Sequence, residues 1–545
     1  MNSTMLDCLI KQVVSKLHEP VVDSESLNQW KTELFTLINS ISEFKLSFRS
    51  KDTEKSLSLD PDDWRAARYL THKMLDSSLD YIQYIRNRPI RQWASSDIRT
   101  LLEDEPFPEQ GQTLASVCDD ILEYVIPYAR GNAHPRFWAW VVGEGTLSGI
   151  IGETIAASLN MNVCDTDHSG AFIEKAVIKW MCQLFNFPKE TTRGLLVTGT
   201  SMATIISMAV ARQRILPNVR QDGMMSGYQL IVYASTETHT CVVKALELLG
   251  LGSKALHLIS VDESFRINTL ELRTAIQNDR SNGLIPFCIV GNAGTVNVGA
   301  FDNLSELSSI ARAENLWFHI DGALGSFVVL DHERRHLVNG IDQADSLAFD
   351  FHKWFHCPHD VGCILIRNGD LLRSTFTLHQ SYLNRTIRAF PDDDIWFCDL
   401  GPELSRSFRA LKVWCTLKEH GTVRLGQKIA ENCEQIQYLV SLLDKHSRII
   451  YIFRPILLNI VNFRFEPEEF GKNDQARIDM FNKELVLDIQ LSGIAFLSTT
   501  RIHDRLYIRM CIVSHRTTVK DLDLFMETLF NFYQEKIKNL SFNRK

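Results

Sequence analysis

The first chemical oddity in this sequence is a lysine set among aromatic residues. In ADSLAFDFHKWFH, Lys353 follows a β-like apolar run and is flanked by Phe351, His352 and Trp354. Lysine prefers water and an unpaired buried ammonium is costly, so its place here implies an exposed turn or a chemical purpose, such as an imine with an aldehyde cofactor. The segment alone also accommodates a partly exposed structural lysine. Upstream, FHIDGALGS ends a similar run in Asp321 followed by small residues. A carboxylate at a strand end can pair with a protonated pyridine nitrogen and keep that ring electron-withdrawing; a helix cap or a solvated strand end reads the same. GLLVTGTSMATI sets Gly199, Thr200 and Ser201 between a strand-like run and a helical pattern. Helix N-terminal amides, two hydroxyls and a glycine form a phosphate cradle, and an ordinary capping turn has the same appearance. His239, in ASTETHTCVV, is expected at the end of a strand, where it suits stacking on an aromatic ring or a plain structural role. Asn292 and Thr295, in PFCIVGNAGTVNVGAFDNL, bring polar groups to the end of another run.

These residues need a scaffold that gathers strand ends. Between residues 134 and 420, short apolar runs (GLLVTG, YQLIVYAS, ALHLISV, PFCIVGNAG, LWFHIDGA, SLAFDF, GCILIR) alternate with stretches long enough for helices. That alternation predicts βαβ units and an α/β fold with a mostly parallel central sheet, whose ligands lie beyond the C-terminal strand ends. Residues 1–58 read as an N-terminal extension with two amphipathic helical stretches, and 59–133 as a helical segment. The polar linker before Trp64 places Pro61 near a helix start, with Asp60 as its cap. A helix is expected around SRSFRALKVWCTLKEHG, and residues 421–545 as a smaller α+β domain.

Bulk composition narrows the classes. An apolar share of 45% and a charged share of 23% describe a folded globular chain, and a net charge of −8 gives no general attraction to nucleic acid or an anionic membrane. The twelve cysteines form no CxxC and no short framework, which argues against a disulfide scaffold or structural zinc and fits a reducing cytosol. The N-terminus lacks a signal-like pattern and no long apolar span follows, so the expected address is cytoplasmic, with no membrane partner.

With those motifs in hand, the chain resembles the group II pyridoxal-phosphate-dependent amino-acid decarboxylases, the family of the aromatic-L-amino-acid, histidine and glutamate enzymes. The resemblance runs from about Trp64 to about Thr528 and rests on HPRFWAW, GLLVTGTSMATI, ETHTCVVKA, NAGTVNVGAFDNL, FHIDGALGS and DFHKW, then SYLNR and LSRSFRALKVW, in the family's order. It implies a fold-type I enzyme that uses pyridoxal 5'-phosphate to decarboxylate an L-amino acid, as a homodimer with active sites at the subunit interface. Position by position, Lys353 would hold the cofactor as an imine, Asp321 would face its pyridine nitrogen and His239 would stack on its ring. Thr200 and Ser201 would bind phosphate, Ala323 would touch the other ring face, and Asn292 would lie near the phenolic oxygen or the substrate. His352 would serve the phosphate or substrate region, and Tyr382, in SYLNR, would be the mobile-loop tyrosine that returns a proton to the substrate's α-carbon. Two segments depart from the aromatic enzymes: Asp350 and Phe351 replace an asparagine and a proline, and VVGEGTLSG replaces a Pro-Thr-Ala-Asn-like run. Ser405 falls where small residues tune phenolic against indolic preference. The competing readings are an aldehyde synthase, an aminotransferase and a non-catalytic homologue; retention of Lys353, Asp321, His239 and Tyr382 speaks for the decarboxylase.

Overall fold

The computed structural model describes residues 58–542 apart from 166, 225–226, 378–395 and 472–473. Both amphipathic stretches expected before residue 58, and Tyr382, lie outside the described residues. The chain divides into two compact units, Met1–Met74 and Leu75–Lys545. Helix α1 (Trp64–Gln83) is started by Asp63, not by Asp60 as expected. The Asp63 carboxylate accepts from the amides of Arg65 at 2.9 Å and Ala66 at 3.1 Å, whereas Asp60 takes the Ser58 hydroxyl. A cap must reach the first-turn amides, and only the residue at the helix start does so.

All seven apolar runs form strands of one sheet: β1 (Arg193–Val197), β2 (Leu230–Ser235), β3 (Leu256–Ile259), β4 (Ile285–Asn292), β5 (Trp317–Asp321), β6 (Ser346–Asp350) and β7 (Gly362–Ile366), in the order β1-β7-β6-β5-β4-β2-β3. β6, β5, β4, β2 and β3 pair in parallel. Apart from the edge strand β3, their side chains are buried on both faces, which explains why they read as continuous apolar runs rather than alternating ones. β7 runs antiparallel to both neighbours, pairing Asp350 with Gly362 on one side and Val197 with Gly362 on the other. Residues 351–361 are too few for a crossover helix, so the chain turns straight back after β6.

Helices α2 (Ser169–Leu184), α3 (Thr200–Ile215), α4 (Cys241–Leu248), α5 (Thr269–Ser281) and α6 (Leu304–Ala313) bury apolar faces against this sheet. A longer helix, α7 (Ala410–Asp444), is interrupted at Gly421, whose φ of 65° and ψ of 166° only glycine adopts easily. Beyond it, β8 (Ile450–Ile452), β9 (Ile460–Phe465), β10 (Ser498–Ile502) and β11 (Arg505–Cys511) form an antiparallel sheet of order β10-β11-β9-β8. Phe481, Leu485 and Ile489 of α8 (Gln475–Leu491) and Leu522, Phe525 and Leu529 of α9 (Val519–Phe542) share a second core with that sheet. Their i, i+3 and i+4 spacing puts each set on one helix face.

Candidate active site

A cavity of about 370 Å³ opens where β1, β2, β4, β5 and β6 end. Lys353, Asp321, His239, Thr200, Ser201, Asn292, Ala323 and His352 all line it. Tyr382 lies outside the described residues.

The turn after β6 presents the lysine. Phe351 and Phe355 are fully buried against Phe327, with ring centroids 5.6 and 4.5 Å away, and the Trp354 indole donates to Asn432 Oδ1 at 3.0 Å. The aromatic residues flanking Lys353 are thus anchors that hold the turn in the core and leave its amine to the cavity. Gly143, in the segment VVGEGTLSG, passes so close beneath that a Cβ there would sit 2.2 Å from the Lys353 carbonyl oxygen.

Asp350 organises the amine. Its Oδ2 lies 2.8 Å from Lys353 Nζ and 3.8 Å from His352 Nε2, while Oδ1 accepts from the Thr200 amide at 2.8 Å. Burial opposes the charge of both partners, yet their mutual attraction wins: Lys353 is held above the ordinary lysine pKa and Asp350 below the ordinary aspartate value. His352 Nδ1 accepts the Val361 amide at 3.0 Å, and burial keeps this imidazole neutral. Its ring lies 4.3 Å from that of His359, whose pKa burial and His352 push down to about 4.

At the opposite wall, Asp321 terminates β5 and is 6% exposed. Its Oδ1 accepts the Ala323 amide at 3.1 Å and its Oδ2 the Cys241 thiol at 3.7 Å. His239 does not end a strand as expected. It sits in the turn between β2 and α4, where Nδ1 accepts the Cys241 amide at 3.1 Å and leaves Nε2 as the free nitrogen. Burial lowers its pKa against the pull of Asp321. Asn292 is locked by three partners: Thr238 Oγ1 donates to its Oδ1 at 3.1 Å, and its Nδ2 donates to Ser235 Oγ at 3.2 Å and Asp302 Oδ2 at 3.1 Å.

Gly199 at the start of α3 supplies no side-chain cap; Asp350 takes the Thr200 amide, and the buried Thr200 Oγ1 has no partner among the described residues. The amides that follow and the orphaned hydroxyl are what an oxyanion would complete. A buried amine at one point, a carboxylate across the cavity, an imidazole between and an anion cradle at α3 together fit a phosphorylated heteroaromatic aldehyde. Sequence reasoning missed Glu237, Cys241, Asp302 and His359. Cys241 and Asp302 act on their neighbours rather than on the cavity, and nothing in their local pattern marks them. Glu237 lies beside His239 in ETHT and was legible only as part of that motif.

A family model described as the pyridoxal-dependent decarboxylase conserved domain matches residues 96–466. The aromatic-L-amino-acid decarboxylase of Bacillus atrophaeus is 33% identical over 457 residues, covering 84% of this chain and 93% of the relative. Phenylacetaldehyde synthase of Arabidopsis thaliana is 26% identical over 474 residues, covering 85% and 94%. Among solved structures, Oryza sativa TDC with PLP and tryptamine superposes with a TM-score of 0.81 at 22% identity, covering 88% of this chain and 100% of that one.

Proposed function

The chain belongs to the pyridoxal-dependent decarboxylase family, and from that premise we propose that it converts an aromatic L-amino acid to the corresponding amine and carbon dioxide. The observation that carries this reading is the convergence of Lys353, Asp321, His239 and Thr200 on one cavity. Pyridoxal 5'-phosphate, when bound, supplies a conjugated electron acceptor for the bonding pair left behind as carbon dioxide departs.

In this reading Lys353 would hold the cofactor through Nζ, Asp321 would keep its pyridine nitrogen protonated, and His239 and Ala323 would contact its ring. Thr200 and Ser201 would take the phosphate at the start of α3, with His352 alongside, and Asn292 would serve the phenolic oxygen or the substrate. The burial of Asp321 makes its charge effective, because little water competes with it. Tyr382 would return the proton to the substrate's α-carbon from a loop that excludes water. The active assembly would be a homodimer, and the aromatic preference is supported by the Bacillus relative; Ser405 lines a separate cavity. Among the described residues no helix is long and apolar enough to cross a membrane, and all the described cysteines are free thiols, which supports a cytoplasmic address.

The test offers the purified protein a panel of L-amino acids and measures carbon dioxide, amine, aldehyde and ammonia together. Amine equal to carbon dioxide with an aromatic substrate is expected, and Lys353→Ala should abolish it. Aldehyde with stoichiometric ammonia and peroxide would move the chain to aldehyde synthesis, the activity named for its Arabidopsis relative. Asp321→Asn should retain the fold and lower kcat by about 10²- to 10³-fold, the scale of removing one preorganised electrostatic partner.

A further inference from the structure

A second cavity, also about 370 Å³, lies on the other side of the lysine turn and shares no lining residue with the first. His356 forms its buried wall. This residue is 1% exposed, and neither ring nitrogen has a hydrogen-bond partner among the described residues. Buried polar atoms in folded proteins are nearly always satisfied, so two idle nitrogens on one imidazole facing a cavity call for an occupant. His515 stands beside it, with ring centroids 5.1 Å apart, and His420, Arg424 and Lys428 face the same space from α7.

The charges on this lining do not cancel. Glu431 is engaged with Lys428 at 2.9 Å and with the Gln435 amide at 3.1 Å. Behind His515, the buried Glu144 is taken by Arg516 Nη1 at 2.6 Å, the Arg516 amide at 3.0 Å and Ser514 Oγ at 2.5 Å. Arg424 has no hydrogen bond or ion pair among the described residues, and its guanidinium is the uncommitted charge of the pocket. A cation would be repelled here, and no cluster suited to a metal occurs among the described residues. Burial and the surrounding cations hold His356 neutral and push the His515 pKa down to about 3; His515 Nδ1 lies 3.1 Å from Glu144 Oε1, so His356 is the imidazole with an N–H to offer a guest. The space is several times the volume of a water molecule, about 30 Å³.

We propose that this pocket is a second ligand site, for a phosphate-sized oxyanion held by Arg424 and Lys428 at its mouth and by an N–H of His356 inside. The anion would sit against the turn that carries Lys353, since the His356 amide donates to the Lys353 carbonyl at 3.2 Å and the His356 carbonyl accepts the Thr146 amide at 2.9 Å.

The experiment uses the cofactor-saturated holoenzyme, so that the α3 cradle is occupied, and titrates inorganic phosphate calorimetrically at constant ionic strength in chloride. One saturable site per chain is expected, with Kd raised at least about tenfold in Arg424→Gln and in Lys428→Gln. Arg424 is exposed and Lys428 is half-buried beside Glu431, and an unchanged visible cofactor band will show that these variants are folded. His356→Gln should weaken binding as well. Glycerol 3-phosphate distinguishes the two sources of such an anion: binding equal to inorganic phosphate points to phosphorylated metabolites, and exclusion of the ester points to the free ion. Absence of saturable binding, binding undiminished in both surface variants, or equal displacement by chloride would each overturn the assignment.

Discussion

Asp350 holds the ammonium of Lys353 at 2.8 Å, and this contact governs when the amine can react, because only the neutral form is nucleophilic. The lysine contribution to apo-protein stability is full below the ordinary lysine range and is lost as pH rises through the raised value. The aspartate contribution is present above the ordinary aspartate value and is lost as pH falls through the depressed one. The pair therefore stabilises the apo protein across the neutral range while suppressing the free amine. Asp350→Asn should reverse the balance, since burial then meets only the weaker pull of Asp321 and Cys241 and lowers the Lys353 pKa. A drop of one unit raises the neutral fraction about tenfold, so cofactor uptake at neutral pH should accelerate by about that factor. Stopped-flow growth of the visible band checks this, and an unchanged rate would mean that Asp350 does not restrain the amine. The reactive residues were legible because their types fall at the ends of apolar runs. Their partners were not. Asp350 read only as a departure from the asparagine of the aromatic enzymes, and its choice of Lys353 and the Thr200 amide depends on the geometry of the turn.

At the scale of elements, the anion cradle depends on where β1 ends, and a buried ion pair fixes that end. Arg406 donates to Glu174 Oε1 at 2.5 Å, to Leu196 O at 2.9 Å and to Val163 O at 2.8 Å, while the Leu196 amide donates to Glu174 at 2.9 Å. Arg406→Met leaves Glu174 charged and enclosed in α2, which should cost about 3–5 kcal/mol, whereas Glu174→Met with Arg406→Met should cost less than the single change. Urea unfolding of the three proteins checks the order, and equal losses in single and double variants would deny the pair this role. Spacing and apolar runs announced every strand of the main sheet, because strands buried on both faces are written continuously in sequence. The direction of β7 was not foreseen, although the short 351–361 connection forces it. The close pairing there also needs Gly362, where a Cβ would lie 2.6 Å from Asp350 Oδ1 and from Gly199 Cα. Such proximity joins segments far apart in the chain, and no local pattern reports it.

Across the larger unit, the antiparallel sheet reaches back to brace the cofactor cavity, and one side chain makes most of the connection. Arg509 of β11, buried to 4% exposure, donates to Trp140 O at 2.9 Å, Val296 O at 2.5 Å and Asn297 O at 3.4 Å. Thr500 Oγ1 and Asn462 Nδ2 add hydrogen bonds to Asn297 at 2.5 and 3.2 Å. The braced segment includes Thr295 and Val296, which line the cavity. A lysine at 509 keeps the charge but lacks the planar fork that serves three carbonyls at once. Each buried carbonyl left bare costs about 1–3 kcal/mol, so Arg509→Lys should lower the apo-protein Tm. Because the loosened wall belongs to the cavity, the same change should also speed cofactor loss from the holoenzyme, followed by decay of the visible band on dilution. A lowered Tm with an unaltered dissociation rate would show that the second sheet supports the fold without bracing the site.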